Sequence, residues 1–199
     1  MDSADRAATD RLEPHEIAFL RGGRRAALTV AVLTLRLRGS VGRGRGGTLC
    51  TTQPLDDTGT VLPALPALTE AVHGSLRSPA DIRQLLVREE VALALVDVRH
   101  ELTVAGLMRV LLPGSTRAGR RTLRALRSAH PMPTTRRGLS PEDRLLAVAL
   151  YGDRALTTLM PRFAREGGLV GRRGRATERE REYGQSWGSG SGGLSCGAV

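Results

Sequence analysis

A shortage of aromatic side chains limits the folds open to this 199-residue sequence more than any other feature. Phe, Trp and Tyr together make up only 3% of the chain, although hydrophobic residues as a whole reach 40%. The core must therefore be built from Leu, Val and Ala, which suits packing between helices better than a β-sandwich. The composition favours a mainly α fold, and the length allows one ordinary domain or two small ones that share a core.

The first predicted unit, residues 12–53, has the order of elements found in a winged-helix domain. Pro14 begins a short helix, the Gly22-Gly23 pair turns the chain, and a second helix follows over residues 24–38. Two short β-type segments then flank a Gly/Arg-rich turn at residues 42–47, which predicts a β-hairpin. We therefore expect a winged-helix-like unit with one short hairpin.

Two further helical units and a tail are predicted downstream. Ser78 is predicted to cap a helix in the second unit, Ser140 opens a helix in the third, and Pro161 breaks or bends the last helix. A Gly/Ser/Arg/Glu-rich end is typical of disorder. The predicted organisation is a flexible leader (1–11), the winged-helix-like unit (12–53), a second helical unit packed on it (62–112), a C-terminal helical segment (116–170) and a disordered tail (171–199).

Positive charge is concentrated in two blocks. The net charge is +10, and all thirty basic residues are Arg. Residues 21–50 and residues 116–140 each contain seven Arg and no acidic residue. Codon bias in a GC-rich genome is one interpretation; an anionic partner gripped by planar guanidinium groups is the other. The two blocks form one basic surface only if they face the same way, which the sequence leaves open.

A basic amphipathic helix is predicted over residues 117–129. Its arginines recur at i, i+3, i+4 and i+7 spacing, and Ala118, Leu123, Ala125 and Leu126 fall on the opposite face. A solvated face is one interpretation, and contact with phosphates of nucleic acid or of a membrane surface is the other. Aromatic residues that would stack on single-stranded bases are absent from this segment. Together with the hairpin turn, the candidate anion contacts are Arg43, Arg45, Arg117, Arg120, Arg121, Arg124 and Arg127.

Signals for catalysis or for a cofactor are weak. The absence of Lys excludes a P-loop phosphate grip, a Schiff base and a kinase-type lysine. The Gly-rich turn at 42–47 lies inside a predicted hairpin, whereas a nucleotide loop lies between a strand and a helix. A G-x-S-x-G motif at 184–188 falls in the predicted tail, without its strand and helix. The four His lack metal-ligand spacing, so we predict no metal, no cofactor and no small-molecule substrate.

Other sequence features indicate where in the cell the protein is located. The first eleven residues are acidic and polar, unlike a signal peptide. The longest apolar run, residues 26–35, is far shorter than the roughly 20 residues that span a bilayer. Cys50 and Cys196 form no disulfide framework, which suits a reducing compartment. We expect a cytoplasmic protein that is not itself integral to a membrane.

Several motifs follow one another in a recognisable order. Residues 12–23 read LEPHEIAFLRGG and are followed by RRAA, and further motifs occur at 105–107, 120–131 and 146–152. Over residues 12–170 this order resembles an uncharacterised actinobacterial protein family with an A-Y-L-x-G-G-P-x-R-A signature. The resemblance implies a domain often found in membrane proteins with Gly/Cys-rich tails. This chain lacks the transmembrane hairpin of many relatives and has a single Cys in its tail. The resemblance implies no catalytic residue.

Taken together, these features predict a non-enzymatic, mainly helical protein that acts as a protein-interaction module with an unidentified protein partner. Two alternatives remain open. One is a winged-helix-like, nucleic-acid-binding protein that uses its Arg-rich surfaces, which predicts steep salt dependence. The other is a peripheral partner of membrane relatives, which predicts sedimentation with anionic vesicles.

Overall fold

The computed structural model describes residues 12–44, 47–52, 65–111 and 114–166. These residues form eight helices and one two-stranded hairpin, which confirms the mainly α class with a short hairpin. The predicted leader (1–11) and tail (171–199) lie outside the described residues. In chain order, the elements are α1 (Pro14–Leu37), β1 (Val41–Arg43), β2 (Leu49–Thr51), α2 (Ala67–Ser75), α3 (Ile82–Val87), α4 (Glu89–Val104), α5 (Arg117–Ala129), α6 (Pro141–Tyr151), α7 (Asp153–Leu159) and α8 (Pro161–Glu166).

Helix α1 lies at the centre of the fold and is kinked near its middle. Gly23 adopts a φ of 70°, which glycine reaches without the steric cost that other residues bear. The predicted interruption at Gly22-Gly23 is therefore confirmed as a kink, although no loop separates the two helical segments. Beyond the kink, nearly every side chain from residue 26 to residue 35 is buried, because α2, α3, α4, α5 and α6 all contact α1.

The hairpin packs against the end of α1 and is joined to the second predicted unit. Strands β1 and β2 pair antiparallel, with Val41 opposite Thr51. Leu49 also exchanges two backbone hydrogen bonds with Ala80, at 2.8 and 3.1 Å. Ala80, two residues before α3, thus extends the hairpin by one bridge and ties it to the helices that follow.

This bridge explains why one predicted helix start is wrong. The sequence places Ser78 at the cap of α3, but the cap is Asp81, whose carboxylate accepts the Gln84 N–H at 2.8 Å. The Gln84 side chain in turn accepts the Asp81 N–H at 2.9 Å, which completes a capping box. Since Ala80 is extended to pair with Leu49, the helix begins only after it.

The C-terminal helices begin and end where local signals predict. Helix α5 has the predicted bounds, and the Thr116 hydroxyl caps it by accepting the Gly119 N–H at 3.1 Å. Helix α6 begins after Ser140, whose hydroxyl accepts the Asp143 N–H at 3.0 Å. The predicted break before Pro161 is confirmed, because proline has no N–H with which to continue a helical ladder.

One aliphatic core runs through the described helices. Phe19 is its only buried aromatic side chain among the described residues, as the composition predicts. This core crosses the predicted unit boundaries at 53–62 and 112–116, and the division into units stays a prediction. No described helix combines the length and the apolar character needed to cross a membrane. The largest fully buried side chains are Ile17, Leu28, Leu33, Leu35, Leu49, Leu68, Leu76, Leu85, Leu95, Leu102, Leu150 and Leu156.

Candidate functional surfaces

Helix α5 presents a row of arginines to solvent. It contains no acidic residue, and Gly119, Leu123 and Leu126 form its buried side. Ala118 and Ala125, which the sequence places on the apolar face, are exposed, because only a narrow edge of the helix contacts its neighbours. The exposed arginines are the five predicted ones: Arg117, Arg120, Arg121, Arg124 and Arg127.

The last of these arginines connects two helices. The Arg127 guanidinium donates from Nε and Nη2 to the Leu150 carbonyl at 3.3 and 3.0 Å. It also lies 6.0 Å from the centre of the Tyr151 ring, whose hydroxyl donates to the His130 carbonyl at 2.8 Å. Arg127 therefore fastens the end of α5 to α6, and its charge is only partly available to a ligand.

The other arginines of α5 are freer. Arg120 donates to the Ser115 carbonyl at 3.0 Å, and Arg124 donates from Nε to the Arg120 carbonyl at 3.3 Å. Within the described residues, no hydrogen bond or ion pair engages the guanidinium of Arg117 or Arg121. These two side chains are the most available cations of the row.

The other basic block, residues 21–50, extends along α1 into the hairpin. Arg43 is exposed at the end of β1, whereas Arg45 lies outside the described residues. Helix α5 meets α1 beside Leu20, since a Cβ added at Gly119 would lie 2.9 Å from Leu20 Cδ1. The hairpin follows Leu37, at the other end of α1, roughly 25 Å away at 1.5 Å of rise per residue. Arg43 therefore lies apart from the α5 row. Arg21 of the same block lies near that row: burial lowers the pKa of its guanidinium, Asp153 raises it, and the charge of Arg127 lowers it.

Helix α4 carries apolar side chains on both its faces. Its inward face buries Val91, Leu95, Val98 and Leu102 in the core. On its outward face, Leu93, Val96 and Val104 are 59%, 59% and 75% exposed. At 3.6 residues per turn, positions 93, 96, 100 and 104 lie along one line of the helix surface. We call Leu93, Val96, His100 and Val104 the α4 stripe.

The exposed aliphatic side chains are confined to one region of the chain. Every large hydrophobic side chain that the described residues expose lies between residues 87 and 111. Besides the α4 stripe, this set includes Val87 before α4, and Val110 and Leu111 in the turn after it. Single exposed apolar residues are ordinary, but a concentration of them marks an interaction surface.

An acidic cavity of about 310 Å³ adjoins the outer edge of α4. The first turn of α1 and residues 65–68 form its other walls. Asp97 and Glu101, each one position beyond a residue of the α4 stripe, face Glu13 and Glu16 across it. Among the described residues, no Arg lines this cavity.

The carboxylates of this cavity influence one another, and burial changes their ionisation. Burial raises the pKa of the Glu16 carboxyl, and the nearby charges of Glu101 and Glu13 raise it further, against a hydrogen bond from the Glu13 backbone that lowers it. His15 is only 8% exposed, and burial lowers its pKa to about 4, so its imidazole is neutral at pH 7. Within the described part of the chain, no basic side chain pairs with these carboxylates.

Sequence reasoning missed both the α4 stripe and the cavity. The stripe had a signal, because residues 91–96 (VALALV) supply more apolar positions than one helix face can bury. The cavity had none, since its walls come from three separate segments of the chain. Among the described residues, no group of three His, Cys, Asp or Glu side chains is placed to hold a metal ion.

Comparison with known proteins adds no relative. No family model matches the chain, and no curated protein or solved structure is significantly similar to it. The actinobacterial resemblance and the winged-helix likeness of residues 12–53 stay predictions. The features of the molecule that bear on its function are therefore the α4 stripe, the acidic cavity and the arginine row of α5.

Proposed function

We propose that this chain is a non-enzymatic protein-interaction module that docks a partner protein on the α4 stripe. The observation that carries the proposal is the line of Leu93, Val96 and Val104, which are more than half exposed on a helix whose other face already fills the core. Spacing of i, i+3, i+7 and i+11 is the pattern with which a helix offers anchors to a groove.

The stripe supplies part of the binding free energy. Full burial of a Val or Leu side chain stabilises by about 1.5–3 kcal/mol, and these side chains are already partly covered. Association itself costs at least about 4 kcal/mol in lost translational and rotational freedom. Three aliphatic anchors alone therefore support only weak binding, so polar contacts at the edge of the stripe must contribute as well.

Photo-crosslinking tests the docking face directly. A benzoylphenylalanine residue at position 96, in the full chain expressed in its native cells, is expected to give one discrete crosslinked product. The same residue at Thr157, which is exposed on α7, serves as the matched control and should give none. Leu93→Glu should abolish the product from position 96 while leaving the circular dichroism spectrum unchanged. Equal products from both positions, or a product that survives Leu93→Glu, would contradict the proposal.

A second candidate function, nucleic-acid binding, is favoured by one observation. The α5 row presents five exposed arginines without an acidic neighbour on the helix, and Arg117 and Arg121 are unengaged within the described residues. Arginine rows of this kind neutralise phosphates and release counterions, so binding falls steeply with salt. This function uses a different surface from the α4 stripe, and the two are tested separately.

Fluorescence anisotropy with labelled duplex DNA and RNA across a salt series tests this second function. Arg117→Gln together with Arg121→Gln should lower the salt slope by about 2, since each phosphate contact contributes about 1. Arg83→Gln together with Arg154→Gln removes the same charge from two other exposed positions and should leave the slope unchanged. Equal effects of the two double variants, or binding that vanishes below physiological salt, would rule this function out. Anionic vesicles in the same series test the peripheral membrane role.

A further inference from the structure

We propose that the acidic cavity beside α4 receives an arginine or lysine side chain of the protein that docks on the α4 stripe. This inference rests on the proposed function and specifies the chemistry of the partner. The partner segment would carry aliphatic residues that cover the stripe and one basic side chain that enters the cavity.

The charge of the cavity points to a cationic occupant. Glu13, Glu16, Asp97 and Glu101 line it, and none of them pairs with an arginine of the described residues. In the sequence as a whole, arginines outnumber acidic residues by thirty to twenty. An external cation would relieve the repulsion that Glu16 experiences from Glu101 and Glu13.

His15 is the second, independent indication of a ligand. The residue is more than nine-tenths buried and lines the cavity, its ring nitrogens are open to that cavity, and no described residue forms a hydrogen bond with them. A neutral imidazole has one nitrogen that accepts a hydrogen bond. The cavity thus offers carboxylate oxygens and an imidazole acceptor, which suits a group with several N–H donors such as guanidinium or ammonium.

The position of the cavity relates it to the stripe. Asp97 and Glu101 follow Val96 and His100 directly on α4, so the acidic edge and the apolar line run side by side. Arginine and lysine lay their methylene stems along apolar surface while the charged end reaches a polar site. A basic residue of the docked segment can therefore cover part of the stripe with its stem and place its charge in the cavity.

Segments of the chain itself and a second copy differ in how far they offer these two features. Residues 53–64, which precede the cavity wall at Leu65, contain no basic residue. A second copy could offer the arginines of α5, but Leu123 and Leu126 are buried there and cannot cover the stripe. Residues 1–11 contain Arg6 and Arg11 but only Met1 and alanines as apolar residues. Residues 169–175 contain Leu169 and Val170 beside three arginines, and a crosslink from position 96 to that segment would contradict docking of a partner protein. A partner protein with an amphipathic basic segment meets both requirements.

Nuclear magnetic resonance titration of the full-length protein tests the inference. The probe is N-acetyl-arginine methylamide, with the lysine analogue as a second cation and the norleucine analogue as the uncharged control. Both cations should produce saturable amide shifts at residues 13–16 and 97–101, with a dissociation constant in the millimolar range, and the norleucine analogue should produce none. Asp97→Asn combined with Glu101→Gln should weaken binding about tenfold, given the modest strength of each exposed pair. Glu142→Gln, an exposed acid on α6, should leave binding unchanged.

Three results would overturn the inference: no saturable shift, an equal response to the norleucine analogue, or an equal response to magnesium chloride at matched ionic strength. The crosslinking test at position 96 is independent of this titration. A crosslink without cation binding leaves the docking face in place and removes the role of the cavity. Cation binding without a crosslink would show that the cavity binds a basic group but that this group does not belong to a protein docked on the α4 stripe.

Discussion

At the scale of single residues, ionisable side chains are buried where the first turn of α1 meets α4. His15 and Glu16 are adjacent in sequence, and burial shifts both pKa values away from the charged form. Such a pair costs stability, because each group would be better solvated in the unfolded chain. The cost is consistent with a binding role for this corner of the molecule.

Acid should destabilise the protein through His15. Its pKa is about 4 in the folded chain and 6.5 as an ordinary value, so the unfolded chain takes up the proton first as pH falls. The free energy of unfolding should therefore drop by about 3 kcal/mol between pH 6.5 and pH 4 on account of this residue. Urea denaturation at pH 7, 5.5 and 4 measures it, and His15→Gln should remove that part of the pH dependence.

As pH falls, Glu16 changes the free energy of unfolding in the opposite direction from His15. Its raised pKa means that the folded chain binds this proton before the unfolded chain does, so its unfavourable contribution disappears as pH falls through the folded pKa. For this reason the pH dependence of the free energy of unfolding is compared between His15→Gln and the parent protein, in which Glu16 is the same. His100→Gln, at an exposed position of the α4 stripe, is the matched control. If both variants keep the full pH dependence of the parent, His15 is not the group responsible.

At the scale of elements, the position of α5 depends on a residue that has no side chain. A Cβ at Gly119 would overlap the carbonyl oxygen of Leu107 and lie 2.9 Å from Leu20 Cδ1. That carbonyl also accepts the Thr116 N–H at 2.9 Å, so it is held in place. The close approach of α5 to the turn after α4 and to α1 therefore requires glycine at this position.

Gly119→Ala should destabilise the protein by about 1–3 kcal/mol, in line with overpacked cores, although alanine is the better helix former by about 1 kcal/mol. Gly74→Ala in α2 is the matched control, because a Cβ there has its nearest neighbour at 4.0 Å. The control should be neutral or slightly stabilising. Urea midpoints of the two variants measure the difference, and equal midpoints would show that α5 does not need the close approach.

The helix boundaries also show which sequence signals are sufficient to place the start or the end of a helix. The Ser140 capping motif, the arginine spacing of α5 and the proline at the start of α8 all predicted boundaries correctly, because each acts within a few residues. The cap of α3 was predicted wrongly at Ser78, because Ala80 pairs with Leu49, some thirty residues earlier. Local propensity carries no information about such a partner.

At the scale of the whole molecule, composition predicted the fold class, and the aliphatic core confirms it. The candidate surfaces were less accessible to prediction. The α5 row was readable because its five arginines share one helix, whereas the cavity joins residues 13–16, 65–68 and 94–101. The sequence likewise does not show that Arg43 lies far from the α5 row while Arg21 lies near Arg127, because this depends on how the helices pack.

Because α4 has apolar side chains on two sides, the residues that stabilise the fold differ from those that are available to bind a partner. Val91, Leu95, Val98 and Leu102 hold the helix in place, while Leu93, Val96 and Val104 contribute little to that task. Exchanges among the outer residues therefore alter which surfaces the helix can meet at small cost in stability. A lineage, or a designer, can redirect the partner choice of such a scaffold one outer residue at a time while its interior stays unchanged.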